Sequence, residues 1–439
     1  MPPSRSGLAP AALVLALVLT VAACDSGDDD AAPASSSRST AASSTTTTAP
    51  PSGGDGELVF GQLAPLTGSL SALAQSFVRP AQMAVDEINL AGGIDDRPVR
   101  IVVADDGSTD DAIARASLEK LRTTDRADAI LGPTSSNTAV DLLADVRDQN
   151  VIQCASSNFR AELSTADSGG RYFRTSPPDS LQGRALAHLV ARDNRTRPVV
   201  LARDDSYGAL LADTFARTLR RSGRRPAGIV RYAPDGSDAE AKVQEALARR
   251  PETVVIIGLA EDGAKVVAAL LRAGVTPAQM PMYTVDGLQS STFGALADPA
   301  NPGVVAGITG TAPAAAPAGI DNPFNAAFAA TGVDPVYSAY TYDCTVLLAL
   351  AAVRAGSDDP ARMRRAFARN LRGRVDCSTF AECETALQAG RSIHYRGASS
   401  RFDRWRGHEP GTGMYEVWSY DQNARVVTKP PDQQVSSTG

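Results

Sequence analysis

Short apolar runs that alternate with amphipathic stretches of helix length constrain this chain more than any other feature of its sequence. Leu58-Val59-Phe60 is followed by a stretch over 75–90 with Met83, Val85, Ile88 and Leu90 at its apolar positions. Ile101-Val102-Val103 precedes a stretch over 110–121, Ala129-Ile130-Leu131 precedes 138–146, and Val151-Ile152 closes the series. This spacing predicts βαβ units and a parallel sheet covered on both faces, because a parallel connection needs a crossover long enough to hold a helix. A second series begins near Leu181, with strands expected at 198–201, 228–230, 254–257 and 282–285 and helices at 207–221, 238–248 and 261–272. The expected fold class is therefore α/β, with two similar lobes, each a parallel sheet flanked by helices. A length of 439 residues, about three typical domains, accommodates both.

The last part of the chain breaks the alternation. A long apolar helix is expected at 337–355, another helix at 360–371 and a late strand at 414–420. Periodicity leaves open whether these complete the lobes or cross between them. Ligands of open α/β sheets bind beyond the carboxyl ends of the strands, so the crevice between two such lobes is where functional residues are sought.

The N-terminus reads as an address. Residues 1–23 carry one basic residue, Arg5, and an apolar run from Ala11 to Val21 that is shorter than the roughly 20 residues a membrane span needs. Val21-Ala22-Ala23-Cys24 resembles a bacterial lipobox, which makes Cys24 the expected lipidation site and 1–23 a signal peptide. Residues 24–56 are almost wholly Asp, Ala, Pro, Ser, Thr and Gly and cannot bury enough apolar surface to offset ordering entropy. They predict a disordered tether with a mean reach of roughly 30 Å, holding the body outside the cell at the membrane face.

A net charge of −6 gives no basic field for a polyphosphate backbone, so no nucleic-acid partner is expected. Beyond Cys24 the cysteines are Cys154, Cys344, Cys377 and Cys383, an even number that favours disulfides in an exported protein. Cys377 and Cys383 close a short loop and are expected to bridge, whereas for Cys154 and Cys344 the sequence gives no separation. The histidines are His188, His394 and His408, and without Cys-x-x-Cys or His-x-x-x-His spacing no metal is expected. The sequence has no glycine-rich dinucleotide loop, no Walker-type lysine loop and no Gly-x-Ser-x-Gly turn, so neither a cofactor nor an enzyme is proposed.

Polar clusters follow two strands of the first series: Thr134-Ser135-Ser136-Asn137 after Ile130-Leu131, and Ala155-Ser156-Ser157-Asn158 after Val151-Ile152. Small hydroxyl residues and free N–H groups at a strand end that opens a helix suit a carboxylate, although Ser136 and Ser157 read equally well as helix caps. In the second series the matching strand ends are Gly258-Leu259-Ala260-Glu261 and Val285-Asp286-Gly287. Asp286 reads either as a turn residue or as a carboxylate facing the crevice, where it would meet a cation. Donors on one lobe and a carboxylate on the other fit a zwitterion such as an α-amino acid.

With these residues the chain resembles the leucine/isoleucine/valine-binding family of solute receptors that serve ABC importers. The resemblance runs through Ala64-Pro65-Leu66-Thr67-Gly68, Ala84-Val85-Asp86-Glu87-Ile88-Asn89, Gly92-Gly93-Ile94 and Asp105-Asp106. It continues through Asp204-Asp205-Ser206-Tyr207-Gly208, Ala339-Tyr340-Thr341-Tyr342-Asp343 and Phe402-Asp403. It implies a type I periplasmic-binding-protein-like receptor whose lobes are joined by three hinge crossings and close over a solute delivered to a membrane permease. The first lobe is expected over 57–176 with about 305–395 returning to it, the second over 177–304 with about 396–430 completing it, and 431–439 as a flexible tail.

Matching the family residue by residue implies that Ser135, Ala155 and Ser157 hold the ligand carboxylate, beside Ser136 and Ser156, and that Asp286 holds the ammonium. The family commonly has glutamate at that last position, and aspartate sets the carboxylate back by about 1.5 Å. Covering aromatic residues of the family align near Leu259 or Ala260 and near Leu73, which implies a side-chain pocket unlike that of the branched-chain receptors. Tyr207 reads as an aromatic wall or as packing at a helix start. Asp105 and Asp106 read as turn and cap residues, Asp86 and Glu87 as a solvated helix face, and Trp405 and Trp418 as packing residues. The expected protein is a monomeric, lipid-anchored amino-acid receptor of an ABC importer, or a surface sensor on the same fold.

Overall fold

The computed structural model describes residues 54–438, so the expected signal peptide, Cys24 and most of the expected tether lie outside the described residues. The first sheet is built from β1 (Val59–Ala64), β2 (Arg100–Asp105), β3 (Ala129–Leu131), β4 (Ile152–Ala155) and β5 (Tyr172–Arg174), all parallel in the order β2-β1-β3-β4-β5. Its crossovers are α1 (Ala74–Leu90), α2 (Asp111–Thr123) and α3 (Ser136–Asp148). The Asp110 carboxylate accepts the N–H groups of Ala112 and Ile113 and so starts α2, whose Ala114, Leu118 and Leu121 face the sheet at helical spacing.

The chain then passes to a second sheet through α4 (Asp179–Arg192). Its parallel strands are β6 (Pro198–Arg203), β7 (Gly228–Tyr232), β8 (Thr253–Ile257), β9 (Met282–Val285) and β10 (Thr309–Pro313). The helices between them are α5 (Ser206–Arg221), α6 (Ala239–Leu247), α7 (Ala260–Arg272) and the short α8 (Phe293–Ala297). All five residues of β8 are buried, as expected of a strand covered on both faces.

The segment from α9 (Pro323–Ala329) returns to the first lobe. With it come α10 (Ser338–Ala355), α11 (Pro360–Phe367), the strand β11 (Val375–Cys377), α12 (Phe380–Gln388) and β12 (Ile393–Tyr395), which pairs in parallel with β11. Helix α10 is apolar all round and buried over most of its length, so it forms the centre of the first core. After the hairpin of β13 (Trp405–Arg406) and β14 (Glu409–Pro410), strand β15 (Thr412–Tyr420) joins the second sheet antiparallel to β10. Strands β16 (Val426–Thr428) and β17 (Val435–Thr438) both pair antiparallel with β15.

Four expectations are corrected. The return to the first lobe, expected near 305, comes after Pro313, because β10 is still a strand of the second sheet. The third crossing, expected near 396, comes later, since Ala398 and Phe402 are buried in the first core. The expected flexible tail contains β17, held by four residue pairs with β15. Glu87 does not sit on a solvated face: its carboxylate accepts the Tyr342 hydroxyl at 2.6 Å and the Phe380 N–H at 2.8 Å, tying α1 to α10 and α12.

Both disulfides are formed, Cys377–Cys383 across the start of α12 and Cys154–Cys344 between β4 and α10, with Cα atoms 5.2 and 5.6 Å apart. Trp418 is fully buried, and its indole lies so close to Gly310 that a Cβ there would approach it to 2.3 Å. Only glycine lets β10 pass. Trp405 packs against Phe367 and Phe402 of the first core. Among the described residues no helix is long and apolar enough to cross a membrane.

Candidate ligand-binding site

Strands β3 and β4 are neighbours, so their polar ends lie side by side. Asp106, just past β2, fixes the first of these ends: its carboxylate accepts Thr134 N–H and Ser108 N–H, each at 2.8 Å. Ser135 caps α3, accepting N–H from Asn137 at 3.2 Å and from Thr138 at 3.5 Å. Ser136 Oγ instead accepts Phe159 N–H at 3.1 Å, and the Ser157 hydroxyl donates to the Thr134 carbonyl at 2.8 Å. Ser156 Oγ lies 2.8 Å from the Thr341 hydroxyl of α10.

Two of the hydroxyls expected to bind a ligand, those of Ser136 and Ser157, thus already tie the two strand ends together, while Ser135 caps α3 and Ser156 meets α10. The N–H groups of Ser156 and Ser157 make no hydrogen bond among the described residues. Buried donors without acceptors, beside the positive end of α3, leave a place for an anion. Ala155 contributes a fully buried end to β4, its carbonyl accepting Thr175 N–H at 3.1 Å.

On the second lobe Asp286 directly follows β9. Gln182 of α4 donates one amide hydrogen bond to its Oδ1 at 2.9 Å and another to the Thr311 carbonyl at 2.9 Å. Tyr207, at the start of α5, packs against the second lobe's core and feels the charge of Asp286. Gly287 is required here, because a side chain would meet the Gly258 carbonyl at 2.3 Å and the Tyr207 hydroxyl at 3.0 Å. Burial pushes the Asp286 carboxyl above the usual carboxylate range, with these hydrogen bonds opposing it.

Asp179, the first residue of α4, is 5% exposed and its carboxylate accepts no hydrogen bond among the described residues. Burial first, and then the charge of Asp286, push it well above the usual range. Tyr415 of β15 is fully buried with an unpartnered hydroxyl, and it feels both carboxylates. Burial raises both carboxyls, and the charge of Asp286 adds to the cost of ionising Asp179.

The two halves face one another. Tyr337, which opens α10 in the left-handed conformation (φ 61°), stacks on Phe77 at 5.5 Å and lies 5.8 Å from Phe159, while its hydroxyl senses Asp286. Glu162, in the loop after β4, is held down to about 2 by its ion pair with Arg160 at 2.9 Å.

Leu259 is 45% exposed ahead of α7, with its side chain over Gly287. Ala260 packs against the second core, and Leu73 is half-buried in the turn before α1. Sequence reasoning missed Asp179, Gln182, Phe77, Phe159 and Tyr337. Asp179 follows Pro177-Pro178 and reads as a plain helix start, and nothing in an apolar stretch marks Tyr337 as facing a crevice.

Residues 57–417 match the family described as periplasmic binding protein. The substrate-binding protein BasB of a chemotactic signal transduction system in Halobacterium salinarum is 29% identical over 368 residues, covering 80% of this chain and 84% of its own. The Leu/Ile/Val-binding protein BraC3 of Rhizobium johnstonii is 27% identical over 252 residues, 57% of this chain and 66% of its own. A solved structure of the branched-chain amino acid transporter substrate-binding protein LivJ from Streptococcus pneumoniae, in complex with isoleucine, superposes with a TM-score of 0.59 at 20% identity. It covers 85% of this chain and all of LivJ, and it shows the shared type I fold. These relatives are solute-binding proteins, not enzymes.

Proposed function

The chain belongs to the periplasmic binding protein family, and from that premise we propose that it is the solute receptor of an ABC importer that closes over an amino acid or a related small zwitterion. The observation that supports this reading is the pair of unpartnered Ser156 and Ser157 N–H groups past β4 together with the buried Asp179 and Asp286 carboxylates of the second lobe. A ligand carboxylate would meet the N–H groups of Ser156 and Ser157 and the N-terminal turn of α3 behind Ser135. Its ammonium would meet Asp286 and Asp179, with Gln182 orienting the former. Phe77, Phe159 and Tyr337 would wall the side chain. Because these groups come from both lobes, the ligand binds the closed form more tightly, and that difference alone drives closure.

The test is a screen of thermal unfolding against amino acids, small amides, carboxylates and polyamines. A ligand at about 100 times its dissociation constant stabilises the folded body by roughly 2.7 kcal/mol, a readable shift. Hits among amino acids are the expected result. A panel in which only carboxylates or only polyamines respond would overturn the zwitterion reading. BasB, a relative in a chemotactic system, favours a second reading in which the closed form is presented to a signalling partner. Pull-down of permease subunits against a signalling receptor by the ligand-bound protein separates the two.

The family places the chain outside the cytoplasm, and Val21-Ala22-Ala23-Cys24 supports anchoring through a lipidated Cys24, with the receptor acting as a monomer. Cys24→Ala is expected to move the protein from the membrane fraction to the soluble one, since a single cysteine carries the lipid. Retention in the membrane fraction would sink the anchor.

A further inference from the structure

Away from the crevice, on the second lobe, a surface cavity of about 290 Å³ is lined by Arg184, His188, Thr218, Arg221, Ser222 and Thr438. Its walls come from the middle of α4, the end of α5 and the last strand β17. The side chains around it are two guanidinium groups, an imidazole and hydroxyls, without a carboxylate among them. Arg184 gives one hydrogen bond to the Thr438 carbonyl at 3.0 Å, while its Nε is buried without a partner among the described residues. Among the described residues the charges that act on it are of its own sign: Arg221, Arg406 and Arg217.

Basic residues in the last turn of a helix favour its negative end, and this accounts for Arg220 and Arg221 at the end of α5. It does not account for Arg184, which sits in mid-helix, or for Arg217 one turn earlier. Like charges are gathered around a concavity in a chain whose net charge is −6, so general basicity does not explain them either. The self-repulsion of such a group is relieved by an anion that accepts several charge-assisted hydrogen bonds at once, and a tetrahedral phosphate suits guanidinium forks.

The geometry points to a second binding site, independent of the amino-acid crevice, in which Arg184 and Arg221 hold a small phosphate-bearing anion with Thr218 as a hydroxyl donor; the Ser222 hydroxyl already donates to the Leu219 carbonyl at 2.7 Å. The same chemistry arises from a free phosphate or from the headgroup of an anionic lipid, and the experiment distinguishes them. The whole protein is titrated calorimetrically with inorganic pyrophosphate in a chloride buffer, and in parallel with vesicles of phosphatidylglycerol or of phosphatidylcholine.

Saturable binding of one pyrophosphate, weakened about tenfold or more by Arg221→Gln, is expected for a free anion. Binding to phosphatidylglycerol vesicles alone, lost in the same variant, assigns the headgroup as the source. Arg221 is exposed at the end of its helix, so its replacement leaves the fold intact. Amino-acid affinity, read on the same samples, is expected to be unchanged, which separates failure of this site from failure of the crevice. Absence of binding to either probe, or binding that Arg221→Gln leaves as it was, overturns the proposal.

Discussion

Asp286→Asn is expected to weaken amino-acid binding by tenfold or more, the largest loss from any single atom exchange in the crevice. The substitution keeps shape and an acceptor for the Gln182 amide but removes the charge, and a charge-assisted hydrogen bond contributes roughly 1.5–3 kcal/mol. Asp179→Asn is expected to act in the same direction. Because the Asp286 charge raises Asp179, neutralising Asp286 lets Asp179 ionise at lower pH. Titration calorimetry on both variants gives the check, and affinity unchanged in Asp286→Asn would remove that residue from the site.

The same electrostatics fixes a pH dependence and its sign. Both carboxyls are raised in the folded protein, so without ligand the folded state holds more protons than the unfolded chain above the ordinary carboxylate range of about 3.9. Stability of the unliganded body therefore falls as pH rises through the raised values. A ligand ammonium replaces the proton, so affinity rises with pH over the same window and binding releases protons. In Asp286→Asn that slope is expected to flatten. A slope of opposite sign in the parent protein would mean that the ammonium is not held by these carboxylates.

Much of the architecture was legible because parallel strands covered on both faces are written as continuous apolar runs, as in β3 and β8. Strand β10 was not, since Thr-Gly-Thr-Ala-Pro has no such run and is a strand only because β9, β15 and the Trp418 indole surround it. β17 was invisible for the same reason: Val-Ser-Ser-Thr gains its order from β15. In the crevice, strand-end serines and Asp286 stood where topology puts ligands, and the resemblance named them. What the serine hydroxyls do was not legible, because their partners Thr134, Phe159 and Thr341 are brought close only by folding. Asp179 is the clearest case. Its chemistry depends on burial and on a charge 107 positions along the chain, neither of which its neighbours Pro177 and Pro178 announce.

The two disulfides, alike in chemistry, are expected to differ sharply in effect. Cys377–Cys383 spans 6 positions, for which the chain-entropy relation gives roughly 2 kcal/mol. Cys154–Cys344 spans 190 positions, and the same relation gives about 5 kcal/mol, with the unfolded chain losing far more freedom. Cys154→Ala/Cys344→Ala is therefore expected to melt several degrees below Cys377→Ala/Cys383→Ala.

The longer bridge is also expected to matter for binding, through position. Cys154 precedes Ala155 at the end of β4, and Cys344 lies one turn beyond Thr341, whose hydroxyl is 2.8 Å from Ser156 Oγ. On the same side the Thr175 hydroxyl, at the first crossing between the sheets, donates to the Tyr340 carbonyl at 2.8 Å and lies 3.4 Å from Cys344 Sγ. Bridge, crossing and Tyr337 are thus parts of one packed unit, and loosening it frees the strand end that offers the Ser156 and Ser157 N–H groups. Measured at a temperature where both double variants remain folded, amino-acid affinity should fall only in Cys154→Ala/Cys344→Ala. Equal melting of the two variants would refute the entropic difference, and unchanged affinity would confine the longer bridge to the core.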